Sequence, residues 1–90
     1  MRERMTVERA ETIGLNGLAF LAGLPESLDR FLRLSGLESA ALRARASDPD
    51  FLRAVLDFLL TDDVLVGDFC KEQYLEARDI HMAHRTLGGL

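Results

Sequence analysis

The sequence predicts an all-α protein, a compact bundle of about five or six short helices in a single domain. Three observations predict it. Apolar residues recur at helical spacing along most of the chain, and strand-like alternation is nearly missing. Apolar residues make up 48% and charged residues 29% of the composition, a mixture that excludes intrinsic disorder for most of the length. Gly23-Leu24-Pro25, Gly36 and Asp48-Pro49 then cut the pattern into pieces of ordinary helix length. A chain of 90 residues makes one domain with a modest core, burying about 60–65% of its unfolded surface.

Thr6 is the expected N-cap of a first helix running to about Ala22. Val7, Ala10, Ile13, Gly17, Phe20 and Leu21 form one stripe, and Leu15, Leu18 and Ala22 a second. A helix apolar on more than one side lies centrally or in a subunit contact. Gly14 and Gly17 each cost about 1 kcal/mol against alanine in a helix interior, a cost that makes sense if another backbone passes close by. Pro25 suits the first position of helix two, which reaches about Leu34 with Leu28, Phe31 and Leu32 inward. Glu26–Arg30 and Asp29–Arg33 are spaced as ion pairs on its wet face. Gly36 fits a left-handed C-terminal cap.

Helix three is a short piece, about Ser39 to Ser47, anchored by Leu37 and Leu42. Asp48-Pro49 is the clearest start signal and opens helix four, Pro49 to Leu60, where only Arg53 and Asp57 are clearly polar after the first turn. Thr61 is expected to cap helix five, about Asp62 to Glu72, with Leu65, Val66, Phe69 and Cys70 inward. Helix six, about Glu76 to Leu87, is carried by Ala77, Ile80, Ala83, His84 and Leu87. Residues 1–5 are expected to be disordered, 6–87 to form the domain and 88–90 to fray.

A shift of 38 residues superimposes several apolar positions: Ile13 on Phe51, Leu18 on Leu56, Phe20 on Phe58, and Leu21 on Leu59. Further along, Leu28 meets Val66, Phe31 meets Phe69, Leu37 meets Leu75, Glu38 meets Glu76 and Leu42 meets Ile80. The pattern predicts two similar three-helix units, with helices one and four packed together at the centre.

The formal charge is −4, unevenly spread. Residues 1–45 hold seven arginines and six acids, whereas residues 46–90 hold three arginines, one lysine and nine acids. An acidic second half repels a phosphate backbone and counts against nucleic acid as a partner. The single Cys70 forms no internal disulfide, so folding needs no oxidising compartment. The most apolar stretch, residues 13–24, is far shorter than the about 20 residues of a membrane span. These features predict a cytoplasmic protein that does not enter membranes.

No residue pattern points to catalysis, a metal or a cofactor. His81 and His84 share a helix face, but no Cys-x-x-Cys or His-Glu-x-x-His spacing accompanies them. Cys70 sits mid-helix beside acids, which raise rather than lower a thiol pKa. Ser27, Ser35, Ser39 and Ser47 fall at helix ends or on wet faces, where backbone roles suffice. The acids have no calcium-loop spacing, and the glycines form no phosphate loop.

Two surfaces are candidates for facing a partner. Phe31 to Glu38 followed by helix three has the apolar-Gly-apolar turn of a helix-turn-helix, whose reading helix would offer Arg43 and Arg45. Helix six offers Arg78, His81 and Arg85.

Leu18-Ala19-Phe20-Leu21-Ala22, Arg30 to Leu37, Leu42-Arg43-Ala44-Arg45-Ala46, Asp48-Pro49-Asp50-Phe51-Leu52 and Val55 to Leu59 together resemble a family of small helical proteins of unknown function, chiefly alphaproteobacterial. The likeness covers about residues 10–85. It departs at Leu24, where the family tends to place a capping Asp, and at Glu76-Ala77, where Asp-Pro would stand. The resemblance implies a bacterial cytoplasmic origin and transfers no functional residue. The expectation is therefore a non-catalytic helical module that binds another protein, a homodimer being one form. A nucleic-acid-binding helix-turn-helix protein is the alternative.

Overall fold

The computed structural model describes residues 4–89. The expected disordered start falls in part, at residues 1–3, outside the described residues, as does the last residue of the expected frayed end, Leu90. Within them Met5 is half-buried against the core. Helix α1 spans Val7–Ala22, α2 Pro25–Ser35, and a 3₁₀ turn at Ser39–Ala41 runs into a single-turn α3, Leu42–Arg45. Helices α4, Pro49–Leu60, α5, Asp63–Gln73, and α6, Ala77–Gly88, complete the chain. Among the described residues there is no strand.

Local chemistry explains most boundaries. Thr6 accepts the Arg9 amide at 3.0 Å at the start of α1, and Asp48 accepts the Asp50 amide at 3.0 Å at the start of α4. Helix α2 starts from Leu24 without a side-chain cap. Pro25 at its first position has no amide to satisfy, so the missing cap matters less there. Helix five departs from expectation at its start. Thr61 closes α4 instead, its hydroxyl donating to the Phe58 carbonyl at 2.6 Å, and Asp62 is the cap of α5, accepting the amides of Val64 at 3.0 Å and Leu65 at 3.1 Å. Carboxylates outcompete hydroxyls here because the bond is charge-assisted and complements the helix dipole. Arg30 likewise departs from its expected partner Glu26. It reaches Asp62 at 3.1 Å, with its guanidinium 5.2 Å from the Phe58 ring centre, and so ties α2 to the start of α5.

Helices α1 and α4 pack against each other as the apolar pattern predicts, and α6 joins them to make a central three. Its Ile80, Ala83 and Leu87 are buried, as are six residues of α4 (Phe51, Leu52, Val55, Leu56, Phe58 and Leu59). Gly14 and Gly17 sit where α4 crosses α1. A Cβ on Gly14 would lie 2.9 Å from Leu52 Cβ, and one on Gly17 would lie 3.1 Å from Leu59 Cδ1 and 3.3 Å from Val55 Cγ1.

The 38-residue repeat is written into the backbone. α2 and α5 are both eleven residues long and start 38 residues apart. Gly23 and Thr61 end α1 and α4 with nearly equal angles, φ −84° and −82°. Gly36 at φ 72° and Tyr74 at φ 56° end α2 and α5 in the left-handed region. The next amides, of Leu37 and Leu75, bond the carbonyls of Leu32 and Cys70 at 3.1 and 2.9 Å, completing the same C-terminal cap twice.

The units are also exchanged. Phe20 of the first unit packs on Phe69 of the second at 5.4 Å between centroids, and Phe58 of the second packs on Phe31 of the first at 5.4 Å. Gly14 meets Leu52, its own equivalent, and Gly17 meets Val55. Positions that contact their own counterparts mark a local two-fold axis, the logic of a symmetric dimer within one chain. The third helices break the symmetry. α6 is long and buried, whereas α3 has no buried residue, because Asp48-Pro49 starts the next helix at once.

Two outcomes test this account. Gly14→Ala should destabilise the protein by about 1–2 kcal/mol in urea unfolding: overpacking against an immobile Cβ costs more than the helix-propensity gain of about 1 kcal/mol. The Asp62 carboxyl is held below the ordinary carboxylate range, chiefly by the Leu65 amide, with the bonds from Arg30 and the Val64 amide adding to it against some desolvation. Its stabilisation is complete at neutral pH and is lost as pH falls below that range. The melting-temperature gap between wild type and Asp62→Asn should therefore shrink on acidification from pH 7 to about pH 2.5.

Candidate functional site

The structure separates the residues that the sequence offers to a partner. Arg45 pairs with Asp48 at 3.1 Å and lies with its guanidinium 5.8 Å from the Phe51 ring centre, so it braces the corner into α4. Arg43 is exposed on α3, but that α-helix has only four residues. A reading helix must enter the major groove and present several side chains to base edges. One turn of α-helix after a 3₁₀ turn does not provide it, and the expected helix three, Ser39 to Ser47, is shortened accordingly. On α6, Arg78 pairs with Glu76 at 3.3 Å on the surface. His81 and Arg85 instead come together with Arg53 of α4 and with His84, around one open cleft. Sequence spacing pairs His81 with Arg85 but places Arg53 on another helix, so the crossing of α4 and α6 is what unites them.

The outer face of α5 holds features that the fold does not need. Gly67 lies in the middle of this helix, yet a Cβ there would meet nothing within 4 Å. A glycine in a helix interior costs about 1 kcal/mol, and here no packing contact offsets it. One turn earlier on the same face Val64 is 70% exposed, and the helix ends on Tyr74, 96% exposed. The helical period sets Val64, Gly67 and Lys71 in one row leading to Tyr74. Tyr74 has a left-handed backbone, φ 56°, a conformation uncommon outside glycine, asparagine and aspartate. The other half of the chain places Gly36 at the equivalent position. The ring therefore stands in solvent on backbone that costs energy to hold. Sequence reasoning passed over Tyr74 and Gly67. The signal was present in the repeat, which pairs Tyr74 with a glycine.

Several hydroxyls are engaged by the backbone of their own helix. Ser35 donates to the Phe31 carbonyl at 2.9 Å and Thr12 to that of Glu8 at 3.0 Å. Burial, with the negative charge of Asp79 added, pushes the Cys70 thiol above its usual range, which lowers its thiolate fraction. His84 is half-buried and faces Asp57 at 3.4 Å, while His81 is exposed. Among the described residues no three His, Cys, Asp or Glu side chains converge as a metal site would require, and no helix is long and apolar enough to cross a membrane.

Neither a curated protein nor a solved structure matches this chain. A family model does, over residues 7–90, nearly the whole length. The two departures from family habit noted in the sequence fall at the uncapped start of α2 and at Glu76, whose amide is taken by the Asp79 carboxylate at 2.9 Å. The chain belongs to the family described as Protein of unknown function (DUF3572).

Proposed function

We propose that this protein is a non-catalytic docking module of the cytoplasm that binds another protein through the outer face of α5, and that the partner this face fits is α5 of a second copy. The observation that carries the reading is Tyr74, an exposed ring on backbone that the equivalent half of the chain reserves for glycine. Tyrosine is enriched among residues that dominate binding energy, since it brings a large contact area with few rotors.

Gly67 gives the close approach that two packed helices need. An antiparallel crossing centred on Gly67 sets Lys71, four residues after it, beside Asp63 of the other copy, four residues before it, and opposes the two helix dipoles favourably. The same charged pair then forms twice across the contact, each copy supplying one Lys71 and one Asp63. The apolar residues of α4, by contrast, are consumed within the fold and leave little for a partner.

The contact is small. A standard interface buries about 800 Å² per partner, a large share of a total surface of 5901 Å², and an eleven-residue helix is only about 16 Å long. Association at micromolar to sub-millimolar concentration follows. Sedimentation velocity from about 10 μM to 500 μM should move the mass toward a dimer. Gly67→Glu and Tyr74→Gly should each stabilise the monomer by about 0.5–1 kcal/mol and weaken association several-fold. A wild-type monomer at every concentration refutes self-association; a dimer indifferent to both substitutions removes α5 from it.

A further inference from the structure

We propose that the cleft between Arg53 of α4 and the C-terminal half of α6 is a binding site for a small phosphorylated ligand. The cleft has a volume of about 470 Å³ and is lined by Arg53, His81, His84, Arg85, Gly88 and Gly89. Cations are scarce in this half of the chain: residues 46–90 contain Arg53, Lys71, Arg78 and Arg85 against nine acids. Two of those four cations and both histidines of the protein line this cleft, and no acid lines it. Asp57 stands at its margin, with its carboxylate 3.4 Å from His84 Nε2.

The site is fitted to its arginine. A Cβ on Gly88 would lie 2.7 Å from Arg53 Nε and 3.3 Å from Cζ, so the guanidinium lies directly against the end of α6 where that residue is glycine. The peptide carbonyls at a helix C-terminus favour a cation there.

The internal repeat supplies a control. At the equivalent place in the first unit is a cleft of about 400 Å³ lined by Leu15, Ala46 and Ser47, together with Glu8, Glu11, Thr12 and Leu52. Leu15, Ala46 and Ser47 are the counterparts of Arg53, His84 and Arg85. The counterpart of His81 is itself a cation, Arg43. At these three positions, however, the scaffold accepts apolar and small residues, so packing does not demand the charges of Arg53, His84 and Arg85.

Their chemistry defines the ligand. Guanidinium forks match the oxygens of a phosphoryl group, and an imidazole donates a ring N–H whether or not it is charged. Two guanidinium forks beside one cleft carry more positive charge than a single carboxylate neutralises and suit a phosphate monoester, whose dianion offers three terminal oxygens. The net negative charge of residues 46–90 opposes a long polyanion more than a compact one.

The test is a ¹⁵N-¹H titration of the whole protein at constant pH and ionic strength, with sodium chloride replaced stepwise by inorganic phosphate, by methyl phosphate or by acetate. Saturable shifts at Arg53, His81, His84, Arg85, Gly88 and Gly89 are expected with both phosphates, at millimolar affinity. Saturation by methyl phosphate with affinity equal to or above that of inorganic phosphate assigns the site to an ester, and the reverse order assigns it to free phosphate; either supports the phosphoryl assignment. Arg53 and Arg85 are exposed, so Arg53→Gln/Arg85→Gln retains the fold, verified by its amide spectrum, and should weaken binding at least about tenfold. Arg43→Gln should leave it unchanged. Shifts linear in concentration, equal shifts at Arg43, unaltered binding by the double variant, or acetate binding as tightly as phosphate would each overturn the proposal.

Discussion

Two helices approach only as closely as the side chains between them allow, and where α4 crosses α1 there are none on the α1 side. Gly14 and Gly17 remove the spacer, so Leu52, Val55 and Leu59 of α4 rest almost on the α1 backbone. Interaxial distance in helix pairs depends on the side chains at the contact, and this one is drawn in tightly. The rest of the core is arranged around that crossing. α6 closes over both helices with Ile80, Ala83 and Leu87, where alanine again keeps the distance short. The aromatic pairs Phe20–Phe69 and Phe31–Phe58 lock the flanking α5 and α2 to the opposite unit. Because each unit supplies the partner for the other's phenylalanine, neither has a complete core alone.

The symmetry of the backbone makes its chemical asymmetry informative. Positions that serve only packing are free to keep matching residues, and Leu18/Leu56, Phe20/Phe58, Leu21/Leu59 and Phe31/Phe69 do so. The close crossing explains the buried departures Gly14/Leu52 and Gly17/Val55; others lie on the surface of the second unit. Tyr74 replaces a glycine in a conformation that glycine adopts without strain, and Arg53, His84 and Arg85 stand where Leu15, Ala46 and Ser47 suffice. Only Tyr74 breaks a local rule of the backbone; the charged positions of the second cleft are ones that packing leaves free.

The helical layout was legible in the residues because its signals are local. Asp48-Pro49, Thr6 and Gly36 each act within one turn of their own position, and α1 and α4 begin and end where spacing places them. The repeat was legible too, as apolar coincidences. What sequence alone hid depends on competition or on distance. Thr61 and Asp62 are adjacent and both can cap, and the stronger acceptor took α5. Arg30 has an acid at helical spacing, but Asp62 lies within reach over a phenylalanine face and offers a better pair. His81 and Arg85 were visible on α6, whereas Arg53 joins them only through the crossing of α4 with α6.

The different fates of the third helices connect fold to site. α6 is long enough for its final turn to run past α4, and that turn brings Gly88 beneath Arg53. α3 stops after one turn because the proline that opens α4 follows it closely, so the first unit's cleft is walled by α1 and the corner into α4, with Leu15, Ala46 and Ser47 in its lining. The two clefts thus share a place in the fold and differ in the residues that line them. A duplicated scaffold supplies the rigid crossing, and the extension of one helix beyond it creates a surface that the symmetric core neither needs nor constrains. Charge could accumulate there without disturbing the packing, since Arg53 and Arg85 point outward from helices whose inner faces are already filled.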